Sequence, residues 1–270
     1  MELVDSFSLP DELWMRIKPL LPDRRISPGG GRPAMDQRTA FTALFYILRT
    51  GCQWKALPRS LGASSTVYGH FRRWVDAGVF AALWQQGLCE YDRTKGIGWK
   101  WQSVDGCMTK APLGGEATGP NPTDRSKTGT KRSLLTDANG IPLALVIDGA
   151  NRHDVKMLER TLQRTMAERP DPNSCRQHLC LDKGYEAGSV RRLVLDLGYT
   201  PHVKSRQEEK SAKRNRRRSR ARRWVVERAH SWLNRFRRLL VRWEKRLDRY
   251  EGFLHLACAI IVWRRMGVFG

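Results

Sequence analysis

Long apolar runs are missing from this sequence of 270 residues. The apolar stretch at residues 253–263 is too short to span a bilayer, and Arg264 and Arg265 follow it directly. The N-terminus contains early acidic residues and lacks the basic-then-apolar pattern of a signal peptide. We therefore expect no membrane association, a cytoplasmic protein, and a buried helix at residues 253–263.

Cysteines are few and irregularly spaced. The six of them show no framework spacing, which argues against a disulfide-stabilised secreted scaffold. Reduced thiols are therefore expected.

Acidic residues are scarce relative to basic ones. The chain has 49 Lys and Arg against 27 Asp and Glu, a net charge of +22. Residues 204–248 hold 18 basic against 5 acidic residues, whereas residues 1–90 hold 11 against 8. A charge of this size indicates a polyanionic partner. A histone-like or ribosomal-type binder would also be basic but would rarely need a core with ten tryptophans.

The first 90 residues have helical patterns. Helices are predicted from residue 10 to about 21, from 36 to 49, and from 64 to about 77, the last opened by a Ser/Thr cap. A helix, a tight turn and a capped helix resemble a helix-turn-helix. Residues 1–90 are thus predicted to form a small all-α DNA-binding domain, with these exposed candidate contacts: Tyr68, His70, Arg72 and Arg73.

The pattern changes to mixed α/β after about residue 95. Strands are predicted at 99–105 (closed by Gly106), 132–136, 141–147, 178–182 and 199–203. Helices are predicted at 154–168, from 183 to about 197, and as one long amphipathic helix at 225–243. Asn139-Gly140 between two apolar runs indicates a hairpin. This order favours a mixed sheet flanked by helices.

Three carboxylates are candidates for a common site. Asp105 and Asp182 end predicted strands, and Glu227 lies on the polar face of the long helix. Chemistry in open α/β sheets gathers at the carboxyl ends of strands, so the two aspartates would be adjacent if their strands are neighbours. Three such acids need neutralising cations, and hard oxygen ligands suit Mg²⁺ or Mn²⁺. Two such ions serve phosphodiester chemistry.

Each of these acids also has a simpler interpretation. Asp105 and Asp182 could be turn residues, and Glu227 could be a solvated side chain paired to arginines. Among the competing acids, Asp137 and Asp148 are interpreted as turn and loop residues, and Asp154 as a helix N-cap. The element order and the charge distribution together favour the site.

Three blocks of the sequence resemble the catalytic blocks of DDE transposases, with insertion-sequence family five of bacterial mobile elements as the closest match: Ser103–Gly106, Leu181–Tyr185 and Arg223–Arg238. Residues 137–142 and 150–154 are similar to that family's intervening segments, and residues 9–80 to its N-terminal helical region.

The resemblance implies a ribonuclease-H-like catalytic domain at residues 91–270, with a basic arm at 204–222. It also implies that Asp105, Asp182 and Glu227 are the metal-binding triad, with Mg²⁺ or Mn²⁺ as cofactor. One departure is Arg220, which stands where the wider group often has Tyr. The resemblance implies a basic residue about seven positions after the Glu. That position is Asn234 or Arg235 here, and we assign the role to Arg235.

The implied function is metal-dependent cleavage of insertion-sequence ends and strand transfer to target DNA. The residues expected to contact DNA phosphates are Lys183, Arg223, Arg228 and Arg235. The expected partners are terminal inverted repeats and target DNA, bound by a homodimer or higher multimer at the bacterial nucleoid. The alternatives are an inactive, repressor-like DNA-binding protein and a related nuclease that cleaves without joining.

Overall fold

The computed structural model describes residues 9–23, 34–203 and 224–268. The predicted basic arm at 204–222 and Arg223 lie outside the described residues. The chain divides into two compact units, one formed by residues 1–87 with 233–270 and the other by residues 88–232. No helix within the described ranges is long and apolar enough to cross a membrane.

The predicted helices and strands occur in the predicted order, together with a helix at Val79–Lys95 and a short strand at Gly119–Pro120 that were not predicted. The α-helices of the described ranges are α1 (Asp11–Ile17), α2 (Gln37–Thr50), α3 (Ser64–Asp76), α4 (Val79–Lys95), α5 (Val155–Gln163), α6 (Gly188–Asp196), α7 (Trp224–Asn234) and α8 (Leu247–Arg265). The strands are β1 (Trp101–Lys110), β2 (Gly119–Pro120), β3 (Thr128–Thr136), β4 (Pro142–Gly149), β5 (Gln177–Leu181) and β6 (Tyr199–Val203).

The second unit is organised around one mixed sheet with the order β2-β3-β1-β5-β6, and β4 also pairs with β3. Pairings β1–β3 and β3–β4 are antiparallel, whereas β1–β5 and β5–β6 are parallel. Helix α5 packs on β3 and β4, and α6 packs on β6. The expected mixed α/β sheet flanked by helices is confirmed.

Strand β1 is longer than predicted. Gly106 does not close it, because the antiparallel register with β3 continues from Gly106↔Ser133 to Lys110↔Gly129. A strand can pass through a glycine where a neighbouring group approaches its backbone closely. Asp105 therefore lies inside a strand.

The predicted hairpin is confirmed as β3 and β4, with Asp137 at its turn. Asp137 is fully buried, and its carboxylate accepts backbone N–H bonds from Gly98, Asn139 and Ile141 at 2.8–2.9 Å. Burial raises its pKa, although the three hydrogen bonds oppose that change. The loop assignment of Asp148 is wrong, because this residue lies within β4.

The first unit combines helices from both ends of the chain. Asp36 caps the N-terminus of helix α2 by accepting the Thr39 N–H, and Gly51, with a φ of 70°, caps its C-terminus. Helix α8 is largely buried and packs on α3, where the rings of Phe71 and Phe253 stack with centroids 4.4 Å apart. The proposed functional division at residue 90 stays a prediction.

The predicted long helix ends earlier than expected, at Asn234. A 3-10 turn follows at Arg237–Leu239, and the guanidinium of Arg238 turns inward to bind Glu244 and the carbonyl oxygen of Cys52. Both members of this ion pair are almost completely buried. Trp243, predicted to belong to the buried stripe, is 44% exposed.

Candidate active site

Asp105 and Asp182 lie on neighbouring parallel strands. The register pairs Ser103 of β1 with Cys180 of β5, and each aspartate follows two residues later. Neighbouring strands are about 4.8 Å apart, so this register sets the two half-buried carboxylates side by side. The expected adjacency of the two strands is confirmed. Asp105 accepts the Gly106 N–H at 2.9 Å, and Asp182 accepts the Lys183 N–H at 2.6 Å.

Helix α7 contacts the backbone of Asp105 through His230. The Nε2 atom of this buried histidine lies 3.3 Å from the Asp105 carbonyl oxygen. Burial, and to a lesser extent the charge of Arg132, lowers the pKa of His230 to about 3, so the ring is neutral near pH 7. Because a carbonyl oxygen only accepts, the ring proton of this contact is on Nε2.

Glu227 lies three residues before His230 on α7 and is exposed. In the described part of the chain, no group of three His, Cys, Asp or Glu side chains could hold a metal ion. The metal-binding triad therefore stays a prediction, although His230 places the helix that carries Glu227 at the strand that carries Asp105.

A third aspartate, Asp154, approaches strand β1 from the face opposite to the Asp105 side chain. It occupies the predicted N-cap position of α5, but its side chain makes no capping hydrogen bond. Instead its Oδ2 accepts a hydrogen bond from Lys131 Nζ at 3.1 Å. Its Oδ1 is only 2.1 Å from the point where a Cβ on Gly106 would lie. Asp154 is thus in contact with the backbone next to Asp105.

Tyr185 lies among these three aspartates. Its side chain is 2% exposed, and its hydroxyl has no hydrogen-bond partner within the described residues. Burial and the negative charges of Asp154, Asp105 and Asp182 raise the pKa of the hydroxyl well above its ordinary value. The hydroxyl therefore keeps its proton and can donate a hydrogen bond.

Comparisons with known proteins identify the family. The family described as "Transposase DDE domain" matches residues 101–262, and "Putative transposase of IS4/5 family (DUF4096)" matches residues 9–84. The chain is 38% identical over 156 residues to "Putative transposase for insertion sequence element IS402" of Burkholderia cepacia, which covers 55% of this chain and 70% of that protein. The chain belongs to the DDE transposase family. The transposase is thus an enzyme of the polynucleotidyl-transfer class with a ribonuclease-H-like catalytic fold.

Other relatives are shorter or more distant. The transposase is 32% identical over 118 residues to an uncharacterized 16.2 kDa protein of the same insertion element, which covers 42% of this chain and 80% of that protein. The crystal structure of the catalytic domain of Mos1 mariner transposase is similar at 14% identity and a TM-score of 0.28, covering 68% of this chain and 91% of that chain.

Arg228 of the transposase makes contacts within the protein. Its guanidinium lies over the rings of Trp224 and Trp232, 4.6 and 4.8 Å from their centroids, and donates a 2.7 Å hydrogen bond to the Asn139 carbonyl oxygen. These contacts tie α7 to the β3–β4 turn, where Gly140 has a φ of 85°. Arg228 thus holds the Glu227 helix, and its predicted contact with phosphate stays a prediction.

The other predicted phosphate contacts lie in different places. Arg223 is outside the described residues, and Lys183 follows Asp182 directly. Arg235 is exposed. Burial, and to a lesser extent the charges of Arg49 and Arg235, lowers the pKa of Arg264. Three arginines thus concentrate positive charge in the first unit.

The candidate DNA-reading face of α3 needs two corrections. His70 was expected to be exposed but is buried, with its Nδ1 3.1 Å from the Arg73 guanidinium and its ring against Trp74. The expected Ser/Thr cap is also wrong, because the N-cap is Ala63. Tyr68 is 39% exposed, and Arg72 and Arg73 are exposed.

Sequence reasoning missed several residues next to the acids, namely Lys131, Asp154, Tyr185 and His230. The spacing of His230, three after Glu227 on one helix, was a signal that the polar face continues toward the sheet. No local pattern indicates that Lys131, in the middle of a strand, reaches Asp154.

Proposed function

We propose that this transposase cleaves DNA at the ends of its insertion sequence and joins the freed 3′-OH to target DNA. The observation that carries this proposal is the in-register pair Asp105 and Asp182, with α7 held at Asp105 by His230. Mos1 transposase, a distant relative, has been solved with a transposon end and with Mg or Mn.

Asp105, Asp182 and Glu227 are the proposed ligands of Mg²⁺ or Mn²⁺. Two half-buried carboxylates side by side offer the hard oxygen atoms that these ions prefer, and they repel each other without a cation. Glu227 is exposed on a helix anchored next to the pair, so we propose that it completes the site when metal and DNA bind. Bound divalent ions would activate the attacking oxygen and stabilise the leaving oxygen of the phosphodiester.

The chain's own residues organise this site. The neutral His230 donates its Nε2 proton to the Asp105 carbonyl and so fixes the distance between helix and strand. Lys131 neutralises Asp154, which keeps a third negative charge from adding to the repulsion between the pair. Arg228 holds α7 against the β3–β4 turn.

DNA is the proposed partner. Phosphates would be bound by Lys183, Arg223 and Arg235, and the terminal inverted repeats would be read by α3 through Tyr68, Arg72 and Arg73. Synapsis of two ends requires a dimer or higher multimer, which we propose forms on DNA at the nucleoid. The arm at 204–222 would add affinity that does not depend on base sequence.

A strand-transfer assay tests the proposal. Wild type, Asp182→Asn and Glu227→Gln are compared on end-bearing DNA with Mg²⁺ or Mn²⁺, alongside Asp196→Asn, an exposed acid on α6, as the matched control. We expect joined products from wild type and the control only, while all four proteins bind the DNA. Equal joining by all four proteins would contradict the proposed triad. Cut ends that are never joined would indicate a nuclease instead.

A further inference from the structure

A polar cavity of about 370 Å³ opens in the second unit between the β4–α5 connection and the segment before β2. A cavity of this size is large enough for a small ligand group such as a sugar phosphate. Its lining is Ala117, Thr118, Asp148, Gly149, Asn151, Arg152, His153 and Lys156.

The walls of this cavity are held in place before any ligand binds. The Thr130 hydroxyl oxygen lies 2.9 Å from the Ala117 carbonyl oxygen and 3.1 Å from that of Asp148, so it bridges opposite walls. Ala117 has a φ of 51°, a conformation that is unfavourable for a residue with a Cβ. A Cβ added at Gly149 would come within 2.7 Å of the Asn151 Oδ1 atom and 3.1 Å of the Thr118 carbonyl oxygen, so the wall is tightly packed there.

The charge of the cavity is positive. Its only lining carboxylate, Asp148, is bound by Arg152 at 3.4 Å and by Arg160 at 3.2 Å. Lys156 adds a further positive charge on the first turn of α5. Among the lining residues, Arg152 and Lys156 against Asp148 leave an excess of one positive charge, and Arg160 further neutralises Asp148, so the cavity attracts an anion.

The cavity is linked to strand β1, which carries Asp105. Lys131 Nζ donates one hydrogen bond to the Arg152 carbonyl oxygen at 2.7 Å and another to Asp154 at 3.1 Å. Asp154 in turn approaches Gly106, the residue after Asp105. Because successive strand residues point to opposite faces, it does so from the face of β1 that the Asp105 side chain does not occupy.

From this geometry we infer that the cavity binds a backbone phosphate of the DNA that the transposase holds, with Arg152 and Lys156 as its cationic ligands. The inference rests on the proposed function, because it assumes that the partner is DNA. The phosphodiester could belong to the element end or to the target, and the two have the same chemistry.

Salt-dependent DNA binding tests the inference without requiring catalysis. Affinities are measured between 50 and 200 mM salt in Ca²⁺ for end-bearing and for end-free duplexes. The variants are Lys156→Gln, which breaks no ion pair found within the described residues, and Arg152→Gln/Lys156→Gln. The matched control is Arg191→Gln/Arg192→Gln, two exposed arginines on α6, which packs on β6 at the far edge of the sheet.

Each phosphate contact contributes about 0.9 to the slope of log affinity against log salt. We expect the double pocket variant to lower that slope by about 1 and the control to leave it unchanged. If the slope falls only with end-bearing DNA, the cavity binds the element end. If it falls equally with both duplexes, the cavity binds target DNA as well. Equal slopes for the pocket variants and wild type would overturn the inference.

A methylphosphonate scan provides an independent readout. Replacing one backbone phosphate near the cleavage position by a neutral methylphosphonate should weaken wild-type binding at one position, and should not weaken the double variant further. If no position behaves in this way, the cavity does not bind phosphate. If wild type does not catalyse strand transfer but the double variant still has the lower salt slope, the proposed function is rejected and the cavity remains a DNA-binding site.

Discussion

Gly106 is the residue that allows Asp154 to approach strand β1. Because a Cβ at this position would lie 2.1 Å from Asp154 Oδ1, the Gly106→Ala variant must push the Asp154 carboxylate away from Lys131. We expect a loss of about 1–3 kcal/mol in the free energy of unfolding, as for other over-packed sites. Urea unfolding of the purified variant measures this loss.

A double-mutant cycle shows whether the carboxylate is the cause. Asp154→Ala removes the obstacle, so Gly106→Ala should cost less in that background, with a coupling of about 0.5–3 kcal/mol. Gly184→Ala serves as the control, since a Cβ there meets no atom within 4 Å. Additive losses in the cycle would show that the crowding lies elsewhere.

The three aspartates show which features of the site could be predicted from the sequence. The two aspartates were found because the predicted strands end at them, although β1 continues past Asp105, and the parallel register then makes them neighbours. Asp154 was assigned to a helix cap because its place before α5 allows that role, yet Lys131 binds the carboxylate instead. A local pattern gives the position of a side chain along an element, but its long-range partner depends on strand order.

At the scale of the element, α7 depends on Arg228. If this arginine holds the helix through Trp224, Trp232 and Asn139, then Arg228→Gln and Arg228→Lys should each lower the free energy of unfolding by about 1–3 kcal/mol. Lysine keeps the charge but lacks the planar group that stacks on both rings. Chemical denaturation monitored by tryptophan fluorescence gives the values.

The same variants distinguish the structural role from phosphate binding. If Arg228 only positions α7, its substitution leaves the salt dependence of DNA affinity unchanged. If Arg228 contacts a phosphate, Arg228→Gln should reduce the slope of log affinity against log salt by about 0.9. Strand transfer should fall in both variants, because Glu227 is carried by the same helix. A reduced slope with unchanged stability would restore the original assignment.

The β5–β6 edge carries a pH-sensitive pair of histidines. His178 Nδ1 lies 2.9 Å from His202 Nε2, and the Trp101 ring stacks on His178. Burial and the Arg176 charge lower the pKa of His202. The unfolded chain therefore takes up the proton first, and stability should fall as the pH drops below about 6.5.

The His202→Gln variant tests this dependence. Since glutamine cannot be protonated in this range, the variant should lose less stability than wild type between pH 7 and pH 5. His153→Gln, an exposed histidine on the β4–α5 connection, is the control and should follow wild type. Parallel curves for all three proteins would show that another group causes the acid sensitivity.

At the scale of the whole molecule, the positions of the helices along the chain were easier to predict than the segments against which they pack. The periodicity of residues 36–49 and 64–77 indicated α2 and α3, but the chain segment that completes their core begins at residue 233. His70 was expected on a surface, although it lies against Trp74 on the buried face of its helix. Contacts between segments so far apart in sequence leave no local pattern.

The last prediction concerns this dependence of the N-terminal helices on the C-terminal segment. Phe253 is fully buried and stacks on Phe71 at 4.4 Å, so Phe253→Ala in the full chain should cost about 3–5 kcal/mol. Because both rings belong to the first unit, the loss should expose residues 34–87 to limited proteolysis before residues 101–203 are cut. Trp243→Ala, which removes a ring that is 44% exposed, should leave the digestion pattern unchanged. If residues 34–87 resist proteolysis equally in both variants, the N-terminal helices are stable without α8, and the boundary predicted at residue 90 marks an independent domain.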